Sequence, residues 1–157
     1  MSNATITNFC NFVESIIVND NVTNFHIRNK DYLVVISSIS PSHDIISYIK
    51  YIFSYRVITE NSINGVILYA INIINLIRKT GLYLNNLTSH RIILVCLLLA
   101  SKLYEDEFYS NKSWSIICGI NIKDLNNIEL FLIKLLDYNL HIMISNKEII
   151  AISKCLY

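Results

Sequence analysis

The stretch "SHRIILVCLLLASKLY", residues Ser89 to Tyr104, decides how this chain folds. From Ile92 to Ser101 nine of ten residues are apolar and none is charged. Thr88 stands ahead of the run and opens the helix. A helix that is apolar all round has to be enclosed by others, so Ser89–Tyr104 reads as the buried central helix of an all-α domain. It is followed by "EDEFYSN", where Glu105, Asp106 and Glu107 are interleaved with Phe108 and Tyr109.

The composition agrees with that reading. With 53% hydrophobic and 16% charged residues among 157, the chain fills one sizeable core and is not disordered. Three glycines and one proline leave too few breakers for a many-turned β sandwich. The 13 basic and 12 acidic residues leave a formal charge of +1 and no basic cluster, so nucleic acid is not an expected partner. The mean hydropathy of +0.42 raises the question of a membrane. Crossing one takes about 20 apolar residues. Ile63–Ile77, interrupted by Asn64, Asn72 and Asn75, and Ile92–Ala100 are both shorter. The N-terminus carries no basic region followed by a small-residue cleavage site. An intracellular protein of the nucleus or cytoplasm, without membrane contact and monomeric when free, is expected.

Other helices follow from periodicity and caps. Thr5–Val18 places Phe9, Phe12, Val13, Ile16 and Ile17 on one stripe, and Asn19–Asp31 reads as a connection. Ser40-Pro41 marks a helix start, with Asp44 favouring the positive end of the dipole; this helix is expected to run to Tyr55 and bury Ile45, Ile49, Ile52 and Phe53. Thr59 is expected to cap Glu60–Lys79, which Gly81 terminates. A short helix is expected near Lys112–Ile117, another from Asn121 or Lys123 to Asp137, and a last one behind the capping-box pattern Ser145-x-x-Glu148.

Catalytic patterns are missing. Glu105, Asp106 and Glu107 are sequence neighbours and diverge on a helix rather than converging on one atom. The chain contains no G-x-S-x-G, no glycine-rich phosphate loop and no H-E-x-x-H. Cys10, Cys96, Cys118 and Cys155 are far apart and share no ligand spacing with His26, His43, His90 and His141, so neither metal nor cofactor is expected. His90-Arg91 suits capping or packing better than catalysis. Tyr51, Tyr55, Tyr104, Phe108, Tyr109 and Trp114 flank the central helices, where they serve either an interface or the core.

The order of motifs resembles the cyclin box, in particular that of the P/U-type cyclins related to the yeast phosphate-pathway cyclins. The resemblance is carried by Leu84-Asn85, His90-Arg91, Ala100-Ser101-Lys102-Leu103, Glu105-Asp106, Tyr109-Ser110-Asn111 with Trp114, Cys118-Gly119-Ile120, Asn126-x-x-Glu129 and Leu136-x-Tyr138-x-Leu140. Upstream, "SPSHDIISYIKYIFSY" is similar to the family's first box helix. Asn72 and Ile73 depart from the family's Y-I-D-R, Tyr51 and Ser54 from R-I-x-K-Y, and Cys118 from its double glycine.

The resemblance implies a five-helix cyclin fold around a buried central helix, with an added N-terminal helix and a short C-terminal one. The corresponding division is 1–38 for the N-terminal helix and connection, 39–145 for the cyclin box and 146–157 for the C-terminal helix. It further implies a non-catalytic regulatory subunit that binds a cyclin-dependent protein kinase at its C-helix and activates it. A basic residue of the first box helix and an acid after A-x-K are implied to anchor that interface. Glu105 stands at the position of the acid, Lys102 at that of the A-x-K lysine, and Arg56, then Lys50, are the candidates for the basic residue. Tyr104, Phe108 and Tyr109 complete the implied kinase-binding set. The alternative is a cyclin-fold adaptor or scaffold that binds proteins without activating a kinase. An unrelated helical enzyme or lipid-binding bundle, marked by a deep polar pocket, is a third class.

Overall fold

The computed structural model describes residues 2–18, 30–37 and 41–140. Six α-helices are present there: α1 (Ser2–Ile16), α2 (Ile45–Ser54), α3 (Ile63–Lys79), α4 (Ser89–Tyr104), α5 (Asn111–Cys118) and α6 (Ile122–Leu135). Two 3₁₀ turns, Lys30–Val35 and Glu60–Ser62, lie between them, and the described residues contain no strand. The expected helix behind Ser145 and most of the Asn19–Asp31 connection lie outside the described residues.

Every residue of α4 from Ile92 to Ser101 is buried, as the apolar run requires. Ser101, the polar exception, donates its hydroxyl to Leu98 O at 2.9 Å and so enters the core without an unmet donor. The broadest packing is of α3 on α4; α2, α5 and α6 also pack on α4, and α1 lies on α2 and α3. Eight residues of α3 are buried, among them Val66, Ile67, Ala70, Ile74 and Ile77, and Phe9, Cys10 and Val13 do the same for α1. Arg91 Nη1 reaches Val34 O at 2.8 Å and ties the first 3₁₀ turn to the start of α4.

The starts of helices differ from expectation in their capping atoms. The N-cap of α2 is Asp44, whose Oδ1 accepts the Ser47 N–H at 2.9 Å and Oδ2 the Ser47 hydroxyl at 2.7 Å. Serine three residues on supplies two donors to one carboxylate, so α2 begins at Ile45, beyond Pro41. Those bonds hold the Asp44 carboxyl below its usual range. Thr88 occupies the N-cap of α4, but its hydroxyl takes the Asn85 N–H at 3.0 Å instead of capping the helix. Asn85 Oδ1 takes the Leu87 and Thr88 N–H groups. The expected helix over Glu60–Lys79 is divided: Glu60–Ser62 is a 3₁₀ turn and α3 begins at Ile63. Past the end of α3, Gly81 adopts φ +90°, a conformation open to glycine.

Candidate docking surface

Where α4 leaves the core, its last turn meets α5 and α6. Lys102 Nζ donates to Glu129 Oε1 at 2.5 Å, joining α4 to α6. The other carboxylate oxygen, Oε2, accepts from Asn111 Nδ2 at 2.7 Å, and the same amide donates to Asn126 Oδ1 at 2.7 Å. Asn126 and Glu129 are three apart on α6, so one face of that helix supplies both acceptors. The pair is enclosed but not sealed, with side-chain exposures of 26% for Lys102 and 14% for Glu129. The further hydrogen bonds orient the pair, and both side chains keep part of their surface exposed.

At the end of α4 and in the segment that follows it, the core leaves apolar side chains outside. Leu103, Tyr104, Phe108 and Tyr109 are each 44–50% exposed. Trp114, grouped with them in the sequence, is fully buried and belongs to the core. Tyr51 and Tyr55 are exposed and stack edge-on at 4.8 Å on α2 and its end.

Glu105 is placed differently from Lys102. The helix ends at Tyr104 and Glu105 is extended (φ −92°, ψ 135°), so the two do not share a helix face. The Glu105 side chain turns inward: Oε1 accepts the Thr59 N–H and the Thr59 hydroxyl, each at 2.9 Å. Its Oε2 is buried with no partner among the described residues. Glu105 therefore clamps the α2–α3 connection to the end of α4. Arg56 lies in that connection with φ +53°, and both it and Lys50 are exposed. Among the described residues the only ion pair is Lys102–Glu129, so neither Arg56 nor Lys50 is paired with Glu105. Lys50 instead borders an open cleft between α1 and α2 with Ile6 and Phe53. Glu129 was absent from the set drawn from the sequence, although Asn126-x-x-Glu129 was visible as a motif; its pairing with Lys102 appears only once α4 and α6 pack.

A separate open cleft of about 310 Å³ lies at the other end of α4, lined by His43, Tyr48, His90, Arg91 and Cys118 among others. His90 and Lys102 are about 18 Å apart along the helix axis. Burial lowers the basicity of His90, and its Nε2 is engaged with His43 O at 2.8 Å. Burial pushes the Cys118 thiol up to about 12. A neutral thiol beside an engaged imidazole is a poor nucleophile–base pair. Among the described residues no three His, Cys, Asp or Glu side chains gather as metal ligands, and no helix is long and apolar enough to cross a membrane.

Residues 4–140 match the family model Cyclin. The PHO85 cyclin-like protein psl1 of Schizosaccharomyces pombe is 29% identical over 108 residues, which cover 69% of this chain and 44% of that protein. Cyclin-U1-1 of Arabidopsis thaliana is 31% identical over 100 residues, 63% of this chain and 46% of the relative. PHO85 cyclin-5 of Saccharomyces cerevisiae is 44% identical over 54 residues, 34% of this chain and 24% of the relative. Each alignment spans less than half the length of the relative concerned.

Proposed function

The chain belongs to the cyclin family, with relatives among the PHO85, U-type and P-type cyclins, and from that premise we propose that it is the regulatory subunit of a cyclin-dependent protein kinase. It has no catalysis of its own in this reading. It packs its α4–α6 edge against the C-helix of the kinase and holds that helix inward. This preserves the kinase's lysine–glutamate pair, which positions the nucleotide phosphates. The driving force is differential: the edge binds the active conformation of the kinase more tightly and shifts an existing equilibrium towards it.

The observation that supports this reading best is the Lys102–Glu129–Asn111 network, rigid and partly open, beside exposed Leu103 and Tyr104. An enclosed charge pair supplies orientation, and the apolar side chains supply area removed from water. Glu105 contributes from behind, by fixing the connection that borders the edge. Lys102→Met and Glu129→Gln are expected to weaken kinase binding by about 2–5 kcal/mol, at least about thirtyfold in Kd. The measurement is calorimetric titration of the purified chain with the kinase catalytic subunit that copurifies with it, with circular dichroism as the folding control. Variants that bind like the unaltered chain would remove the network from the interface. A folded chain that captures other proteins and no kinase would favour the adaptor.

A further inference from the structure

Gly65 stands in the first turn of α3, and its backbone does not need to be glycine. The positive-φ glycines are Gly81 and Gly119; Gly65 is not among them. At such a position an alanine ordinarily stabilises a protein, because it narrows the unfolded ensemble and fits the helix. What glycine supplies here is room. A Cβ built on Gly65 would overlap the ring of Tyr104, and its three nearest neighbours, Cζ and the two Cε atoms, all belong to that ring. One helical turn further along the same face, Tyr69 meets Tyr104 edge-on, with centroids 5.6 Å apart and planes at 60°.

This seat does not bury its occupant. Tyr104 remains 46% exposed, next to Leu103 and two residues beyond Lys102, at the edge assigned above to the kinase. Side chains that dominate binding are typically large aromatics, and they bind better when their rotamer is already fixed. The geometry points to Gly65 and Tyr69 as positioning residues that hold Tyr104 in advance as an aromatic anchor for the kinase. This rests on the reading of the α4–α6 edge as the kinase-binding edge.

The test is a cycle of Gly65→Ala, Tyr104→Ala and the double variant, read by Kd for the copurifying kinase and by Tm. Gly65→Ala displaces a half-exposed ring at little structural cost, so its Tm is expected to hold or to rise by about 2–4 °C. Its Kd is expected to weaken by about tenfold, as is that of Tyr104→Ala, and the double variant should be no weaker than Tyr104→Ala alone. A tighter fold with poorer binding is an outcome that a packing role does not produce. Unchanged affinity in Gly65→Ala overturns the inference alone. So does a loss of affinity from Gly65→Ala that persists when residue 104 is already alanine, or a fall in Tm in both backgrounds. If the unaltered chain binds no cyclin-dependent kinase, the function proposed above fails and the inference with it.

Discussion

Replacing Glu105 separates two roles that are easily confused at the end of α4. Its Oε1 accepts two bonds from Thr59, and its other oxygen is buried without a partner. Hydrogen bonds to a charged group contribute about 1.5–3 kcal/mol each, while an unmet buried oxygen takes back about 1–3 kcal/mol. Glu105→Ala should therefore cost on the order of 2 kcal/mol, or about 4–8 °C in Tm for a chain of this size. Thr59 is exposed, so water can satisfy its freed donors and the cost should not climb much further. Thr59→Val removes the hydroxyl and keeps the N–H bond, for about 1 kcal/mol. Because the two side chains share a bond, the double variant should fall short of the sum by about 1 kcal/mol. The assay is urea unfolding followed at 222 nm at constant pH, with free energies from linear extrapolation. The reasoning is refuted if Glu105→Ala costs less than about 0.5 kcal/mol and still abolishes kinase binding. That result would put the carboxylate on the docking face, as the family resemblance implies.

Two further outcomes concern buried titratable groups, His90 and the thiols. Burial depresses the basicity of His90, so the unfolded chain takes up its proton more readily than the folded one. The corresponding stability is fully present above about pH 6.5, the unfolded value, and is lost as the pH falls through the lower folded value. Urea midpoints measured downward from about pH 7.5 should therefore fall, and less steeply in His90→Gln; equal slopes would rule out His90 as the source. Burial also raises the thiols of Cys10, Cys96 and Cys118. In a Cys155→Ser background at neutral pH, iodoacetamide should modify these three only after urea is added, as judged by intact mass, and fast native labelling of Cys118 would contradict its environment.

The central helix was legible because two independent signals coincide on it. Thr88 ahead of it and a charge-free apolar run within it mark Ser89–Tyr104, and α4 has those bounds. The start of α2 was less so, since Ser40-Pro41 reads as the cap and Asp44 only as a charge suited to the dipole, whereas Asp44 is the N-cap. Only the geometry shows Ser47 delivering two donors to the carboxylate of Asp44. At the proposed docking edge, periodicity relates residues within a helix and says nothing about partners across helices. Lys102 and Glu129 are 27 residues apart and meet because α4 packs on α6. The spacing of Lys102 and Glu105 would have placed them on one face had the helix continued; its end at Tyr104 turns Glu105 towards Thr59. Composition likewise could not separate buried Trp114 from exposed Phe108 and Tyr109.

The placement of the edge follows from the same burial that specifies the fold. A helix enclosed along ten consecutive residues is immobilised by its neighbours, and the position of its last turn is set by the whole core. Side chains on that turn therefore approach a partner with little freedom left to lose. Lys102 is further restrained by Glu129, and Glu129 by Asn111, so three helices must hold their relative positions for the network to close. A partner that fits the closed network discriminates against any chain in which α5 or α6 has shifted. In the proposed complex the charge pair would act mainly on orientation and selectivity, and the exposed surface of Leu103 and Tyr104 would supply the affinity. A half-open ion pair and half-exposed aromatics thus stand together at the C-terminal end of α4.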